Sequence, residues 1–160
     1  MKTRTLTIGC LLVLLTLLGV GIVVIQTQTT EPIGVTVRLT PFMISEEDPP
    51  PEDFRVTISN LPAPYKPEDI VAETVKVEGI ISIKPVPDWP KVQKSFFAFK
   101  VDGTELVNSI WPKIWHMAPE PGTKVDVTIT VTGQFYDGTA FEGTCDMTFM
   151  TLHPQGNPIP

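Results

Sequence analysis

Polar and apolar positions divide the chain into two regimes. Residues 5–30 carry no charge, and their apolar heart, residues 8–25, reads IGCLLVLLTLLGVGIVVI. From Gly34 onward alternation replaces continuous apolarity. Val35, Val37 and Leu39 alternate with Thr36, Arg38 and Thr40, the period of two expected of a half-buried strand. Phe54, Val56 and Ile58 repeat the pattern. Residues 74–77 and 80–83 read as two short strands around Glu78-Gly79, and residues 95–101 (SFFAFKV) as an apolar strand.

Between these runs the chain is rich in turn residues. Residues 44–53 hold Glu46-Glu47-Asp48 and Pro49-Pro50-Pro51, and residues 60–67 and 84–94 are further links. Pro67-Glu68-Asp69-Ile70 predicts one short helical turn, and residues 104–109 one or two turns of helix. No helix of useful length is expected.

A terminal hairpin is the strongest local signal. Val125, Val127, Ile129 and Val131 share a parity with Phe141, Gly143, Cys145, Met147 and Phe149. A two-residue Asp137-Gly138 turn would pair odd with even positions and put the two apolar sets on opposite faces. The expectation is therefore a three-residue loop, 137–139, with Gly138 at positive φ, Phe135 opposite Phe141 and Val131 opposite Cys145. About seven short strands predict an all-β fold, an immunoglobulin-like β-sandwich by architecture, with a small barrel as the alternative.

The amino-terminal regime predicts a location. Residues 8–25, eighteen in number, would span ~27 Å as a helix, close to the thickness of a bilayer core. Lys2 and Arg4 precede the run and place its start in the cytoplasm. A cleaved signal peptide would want an alanine-type site, and no alanine occurs before Ala63. Two readings stay open, an uncleaved signal anchor and a signal peptide; both put the rest of the chain outside. Cys10 precedes most of the run, so it does not fit a lipidated cysteine. The expected organisation is a signal anchor or signal peptide over 1–30, one sandwich over 31–152, and a disordered Pro/Gly tail over 153–160.

Charge removes one class of partner. The net charge is −6, and no Lys/Arg stripe exists to hold phosphates, so nucleic acid is excluded. Cys10 and Cys145 fall on opposite sides of the membrane problem and are not expected to bridge within one chain; a bridge between chains through Cys145 stays open. No N-x-Ser/Thr acceptor occurs.

At this point three stretches resemble a known family: LPAPYKPEDIVAETVKVEGIISIKPVP, FFAFKVDGTELV and PGTKVDVTITVTGQFYDGTAFEGTCDMTF, the most specific part being residues 127–144. They are similar to an Ig-like accessory domain recurring in archaeal, and some bacterial, secreted and cell-surface proteins. The similarity spans residues 51–149 and implies a sandwich without assigned catalytic activity. Relatives often carry an Asp-rich, calcium-loop-like segment where this chain has residues 87–94, which puts calcium in doubt. Residues 111–120 look like an insertion.

Candidate chemistry is sparse. His116, His153, Cys145 and the nearby methionines evoke copper, but no Met follows His153, so the ligand order is wrong. Cys145 and Met147 are expected in the core. Glu46, Glu47, Asp48, Glu52 and Asp53 read as a solvated acidic loop, and no grouping suggests hydrolysis. The expectation is no enzyme, no cofactor and no small-molecule substrate. Trp111, Ile114 and Trp115 in the apparent insertion, with Trp89 between prolines, form the candidate partner-binding surface, against the simpler reading that Trp111 and Trp115 close one end of the sandwich. The expected role is a cell-surface interaction module held to the membrane by residues 1–30, with a protein or cell-envelope partner. The alternative is a structural subunit of a pilin-like filament, although Gly9 follows Ile8 where pilin processing wants a charge before the small residue.

Overall fold

The computed structural model describes residues 31–45, 49–117 and 122–150, apart from the side chain of Trp115. The expected anchor or signal segment, the acidic triplet 46–48 and the carboxy-terminal tail lie outside the described residues.

Alternation along the chain builds two facing sheets. β1 (Ile33–Gly34), β3 (Met43–Ser45), β5 (Lys76–Val77), β6 (Ile81–Ser82), β9 (Lys124–Gln134) and β10 (Ala140–Met150) form the first, in the order β1-β10-β9-β5-β6, with β3 also on β10. β2 (Thr36–Thr40), β4 (Asp53–Ser59), β7 (Lys91–Gln93) and β8 (Phe96–Asp102) form the second, in the order β2-β4-β8-β7. Phe54, Val56 and Ile58 of β4 and Phe97, Phe99 and Val101 of β8 face Val127, Ile129, Val131, Phe141, Met147 and Phe149 of the first sheet in one buried core. This is the all-β, two-sheet architecture that the period of two predicts.

The first expected strand is β2, flanked by two short strands that alternation did not predict, β1 and β3, the latter overlapping the expected link 44–53. β1 and β3 run parallel to β10 at its two ends, whereas β2 between them pairs antiparallel with β4. The chain thus leaves one sheet, crosses to the other and returns. Gly143 makes the crossing fit: a Cβ there would stand 2.5 Å from the Val35 carbonyl oxygen and 2.6 Å from Val37 Cγ2.

The terminal hairpin keeps its expected parity but not its register. Phe141 opposes Gly133 rather than Phe135, and Cys145 opposes Ile129 rather than Val131. The Phe135 N–H donates to the Thr139 carbonyl at 2.9 Å, so the three loop residues are Tyr136, Asp137 and Gly138, with Gly138 at φ 85°. Packing gives the reason. The Phe141 ring lies over Gly133, where a Cβ would come within 2.5 Å of it; only this register sets the large ring against the residue that has no side chain.

The second correction is a helix. α1 (Gly103–Met117) runs for 15 residues, well beyond the expected 104–109 and into the apparent insertion. Asp102 Oδ1 accepts from the Glu105 N–H at 3.0 Å and caps its first turn. Leu106, Val107, Ile110 and Ile114 are buried along one side. Pro112 lies inside the helix, but burial of that apolar stripe outweighs the one backbone hydrogen bond it forfeits. The helix closes the end of the sandwich where β8 stops and β9 begins.

Candidate functional site

Strand register defines two ends. Thr36, Ser59 and Phe96 are level with one another in the second sheet, and Gln134 opposes Ala140 in the first. These mark the loop end. Met150 opposes Lys124 and Asp53 opposes Asp102 at the other, the helix end.

At the loop end, residues 60–66 and the hairpin loop are locked together. The Tyr65 ring stacks on Phe135 with centroids 4.0 Å apart and 15° between planes. Its hydroxyl donates to Asp137 Oδ2 at 3.0 Å and lies within hydrogen-bond distance of Thr139 Oγ1, at 3.1 Å. The Thr139 N–H, its hydroxyl and Tyr65 together hold the Asp137 carboxyl below the usual carboxylate range. The Tyr136 N–H donates to the Asp69 carbonyl at 2.9 Å, leaving the Tyr136 side chain 75% exposed. Beside these loops is an open groove of about 860 Å³ lined by Lys66, Glu68, Val92, Gln93, Lys94 and Ser95.

At the helix end, Trp111 packs edge-on against Phe149, centroids 5.5 Å apart and 70° between planes. Lys113 pairs with Glu78, whose other oxygen accepts from the Thr130 N–H at 2.8 Å, so the helix is tied to the β5–β6 turn. Phe42, at 63%, and Met43, at 42%, are exposed where β3 joins the end of β10, and Met117 is exposed at 45%. Phe42 and Met43 follow the return crossing from β2 to β3; Met117 ends α1.

The four residues singled out from the sequence do not form one surface. Ile114 is fully buried and belongs to the core. Trp111 is half-buried on Phe149. Trp89 lies instead on the outer side of the second sheet, its ring 5.7 Å from the Arg55 guanidinium carbon and 5.6 Å from Lys100 Nζ. The side chain of Trp115 lies outside the described residues. Phe42, Met43 and Tyr136 were missed by sequence reasoning. Tyr136 had a signal, since a hairpin loop starting one residue earlier exposes it; Phe42 had none beyond its place after Pro41.

The charged groups of the second sheet neutralise one another. Asp53 lies 2.8 Å from Lys100 Nζ and 2.5 Å from Lys84 Nζ, and these two hydrogen bonds hold its carboxyl below the usual range and raise the Lys84 ammonium. Lys84 also reaches Glu52 and Asp102 at 3.6 and 3.7 Å. Cys145 is half-buried, and desolvation, followed by the charges of Asp146 and Glu78, pushes its thiol up to about 11. Such a group stays protonated at neutral pH and is a poor nucleophile or metal ligand. Among the described residues no cluster of three or more His, Cys, Asp or Glu side chains could hold a metal ion, and no helix is long and apolar enough to cross a membrane.

Compared with protein-family models, with curated proteins and with solved structures, the chain matches none.

Proposed function

We propose that this chain is a non-catalytic, extracytoplasmic Ig-like domain, tethered by its amino-terminal hydrophobic segment, that binds a protein partner through the helix end of its sandwich. The Ig-like reading is supported by strand order. β2-β4-β8-β7 corresponds to the A-B-E-D sheet of that fold, and β10-β9-β5 to G-F-C. The tether is supported by residues 8–25, apolar for the length of a bilayer core, with Lys2 and Arg4 ahead of them.

The observation that carries the binding role is the exposure of the adjacent Phe42 and Met43 beside Thr148 of β10, at the end opposite the one where β1 enters the fold. Large apolar side chains left in water cost hydration free energy that a partner would recover, and methionine adapts to varied surfaces. A rigid frame stands behind them, with Trp111 on Phe149 and Lys113 on Glu78.

The test is site-specific photo-crosslinking in native membranes. A photoreactive residue at Phe42 or Met117 is expected to give a discrete adduct that Met43→Glu abolishes, while the same residue at Thr144, exposed on the first sheet, gives none. Equal labelling at all three positions would overturn the assignment.

A further inference from the structure

The direction of β1 decides which end of the domain meets its tether. Ile33 and Gly34 run parallel to Phe141 and Glu142, so the chain ahead of Ile33 points past the hairpin loop. The apolar run ends at Ile25 and β1 starts at Ile33, leaving the seven residues 26–32 between them. Fully extended, such a connector reaches at most ~25 Å. The headgroup layer takes up roughly 5–7 Å of that. The loop end is thus kept within about one domain radius of the bilayer surface, and in an upright domain the helix end would stand farther out by the length of β10, 11 residues, or ~34 Å.

The chemistry of the loop end fits that position. Tyr136 offers an exposed ring with a polar tip, the amphipathic shape that collects at membrane–water interfaces. Val92, 49% exposed in the groove, adds apolar surface, and Lys66 and Lys94 flank it with ammonium groups on stems long enough to reach lipid phosphates. Two nearby acids keep their charge but do not line the groove: Asp137 accepts from Thr139 and Tyr65, and Asp69 accepts from the Lys66 N–H at 2.8 Å. Glu68 alone of the groove-lining residues opposes the lysines in charge.

We infer that the loop end docks on the phospholipid headgroups of the membrane that anchors the chain, with Tyr136 and Val92 in the interface and Lys66 and Lys94 on phosphates. The domain then stands upright, and its helix end faces away from the bilayer. This inference rests on the tether proposed above.

The test uses the full chain in phosphatidylcholine–phosphatidylglycerol vesicles, with Cys10→Ser and Cys145→Ala so that a single fluorophore can be placed by Ala63→Cys at the loop end or by Lys124→Cys at the helix end. Alkaline carbonate extraction comes first: release of the chain would sink the tether and the docking together. With the chain retained, a quencher attached to lipid headgroups is expected to quench the label at 63 several-fold more than the label at 124. The triple variant Lys66→Glu, Lys94→Glu, Tyr136→Ser, checked for an unchanged melting temperature, should shrink the difference between the two labels at least twofold. Equal quenching in the parent, or a difference that the triple variant leaves unchanged, would overturn the docking while leaving the tether standing.

Discussion

Ile33 lies beside Phe141 in parallel register, a few residues beyond the hairpin loop 136–138. This pairing orients the whole molecule. In a sandwich tethered through its first strand, the loops around Tyr65 and Tyr136 are proximal to the membrane, and α1 is distal. Under the tether proposed above, Trp111 lies at the end away from the membrane.

Separating binding from stability at that end requires two substitutions with opposite signatures. Ile114 is fully buried, so Ile114→Ala is expected to cost about 2–5 kcal/mol in denaturant unfolding. Phe42→Ser, on an exposed side chain, should change stability by less than about 0.5 kcal/mol while abolishing the crosslinks proposed for the helix end. A strongly destabilised Phe42→Ser chain would make that residue core instead.

Much of the fold was legible as alternation. β4, β8, β9 and β10 all fall where the period of two puts them, because each buries one face only. Alternation fixes parity and no more, which is why the hairpin slipped by two residues: the decisive complementarity, Phe141 over Gly133, is a contact of shape. α1 outruns the expected 104–109 because the buried series Leu106, Ile110 and Ile114 carries the helix past Pro112. The candidate surface was half legible. Of the residues named for it, burial in the core took Ile114 and part of Trp111, and the exposed Phe42 and Met43 depend on a sheet crossing with no local signature.

Gly103 tests how closely α1 is seated. A Cβ there would fall 1.6 Å from the Pro51 carbonyl oxygen, while one at Gly34 meets nothing within 4 Å. Gly103→Ala is expected to destabilise by about 1–3 kcal/mol or more, with Gly34→Ala near neutral in the same urea titration. Matching midpoints would contradict the packing described for the start of α1.

Tyr65 joins the two loops of the proximal end. Tyr65→Phe keeps the stack on Phe135 and removes the hydroxyl that donates to Asp137 and meets Thr139, so a loss of about 0.5–1.5 kcal/mol is expected. Tyr65→Ala should lose more and speed hydrogen exchange at the Tyr136 amide. An unchanged exchange rate would show that the loops are ordered independently.

Asp53 sets an acid limit. Its carboxyl is held low by hydrogen bonds from Lys100 and then Lys84. A carboxylate whose folded pKa lies below its unfolded value of about 4 stabilises the fold above that value and loses the contribution as pH falls through the folded pKa. Melting temperature should therefore drop on acidification below about pH 4, and the drop should be shallower in Asp53→Asn. Parallel curves would remove Asp53 from the account.

Cys145, raised to about 11, should resist alkylation. In a Cys10→Ser background, iodoacetamide at about pH 8 is expected to react roughly a hundredfold more slowly with the folded chain than with the chain in guanidinium. Similar rates would mean that the thiol is open to solvent.

Protease shaving of intact cells tests the central claim most directly. With antibodies to residues 1–30 and to the β domain, external protease is expected to remove the domain and leave a fragment bearing Met1 in the membrane fraction. A domain that stays protected until the cells are lysed, or a membrane fraction without that fragment, would contradict a tethered, outward-facing sandwich.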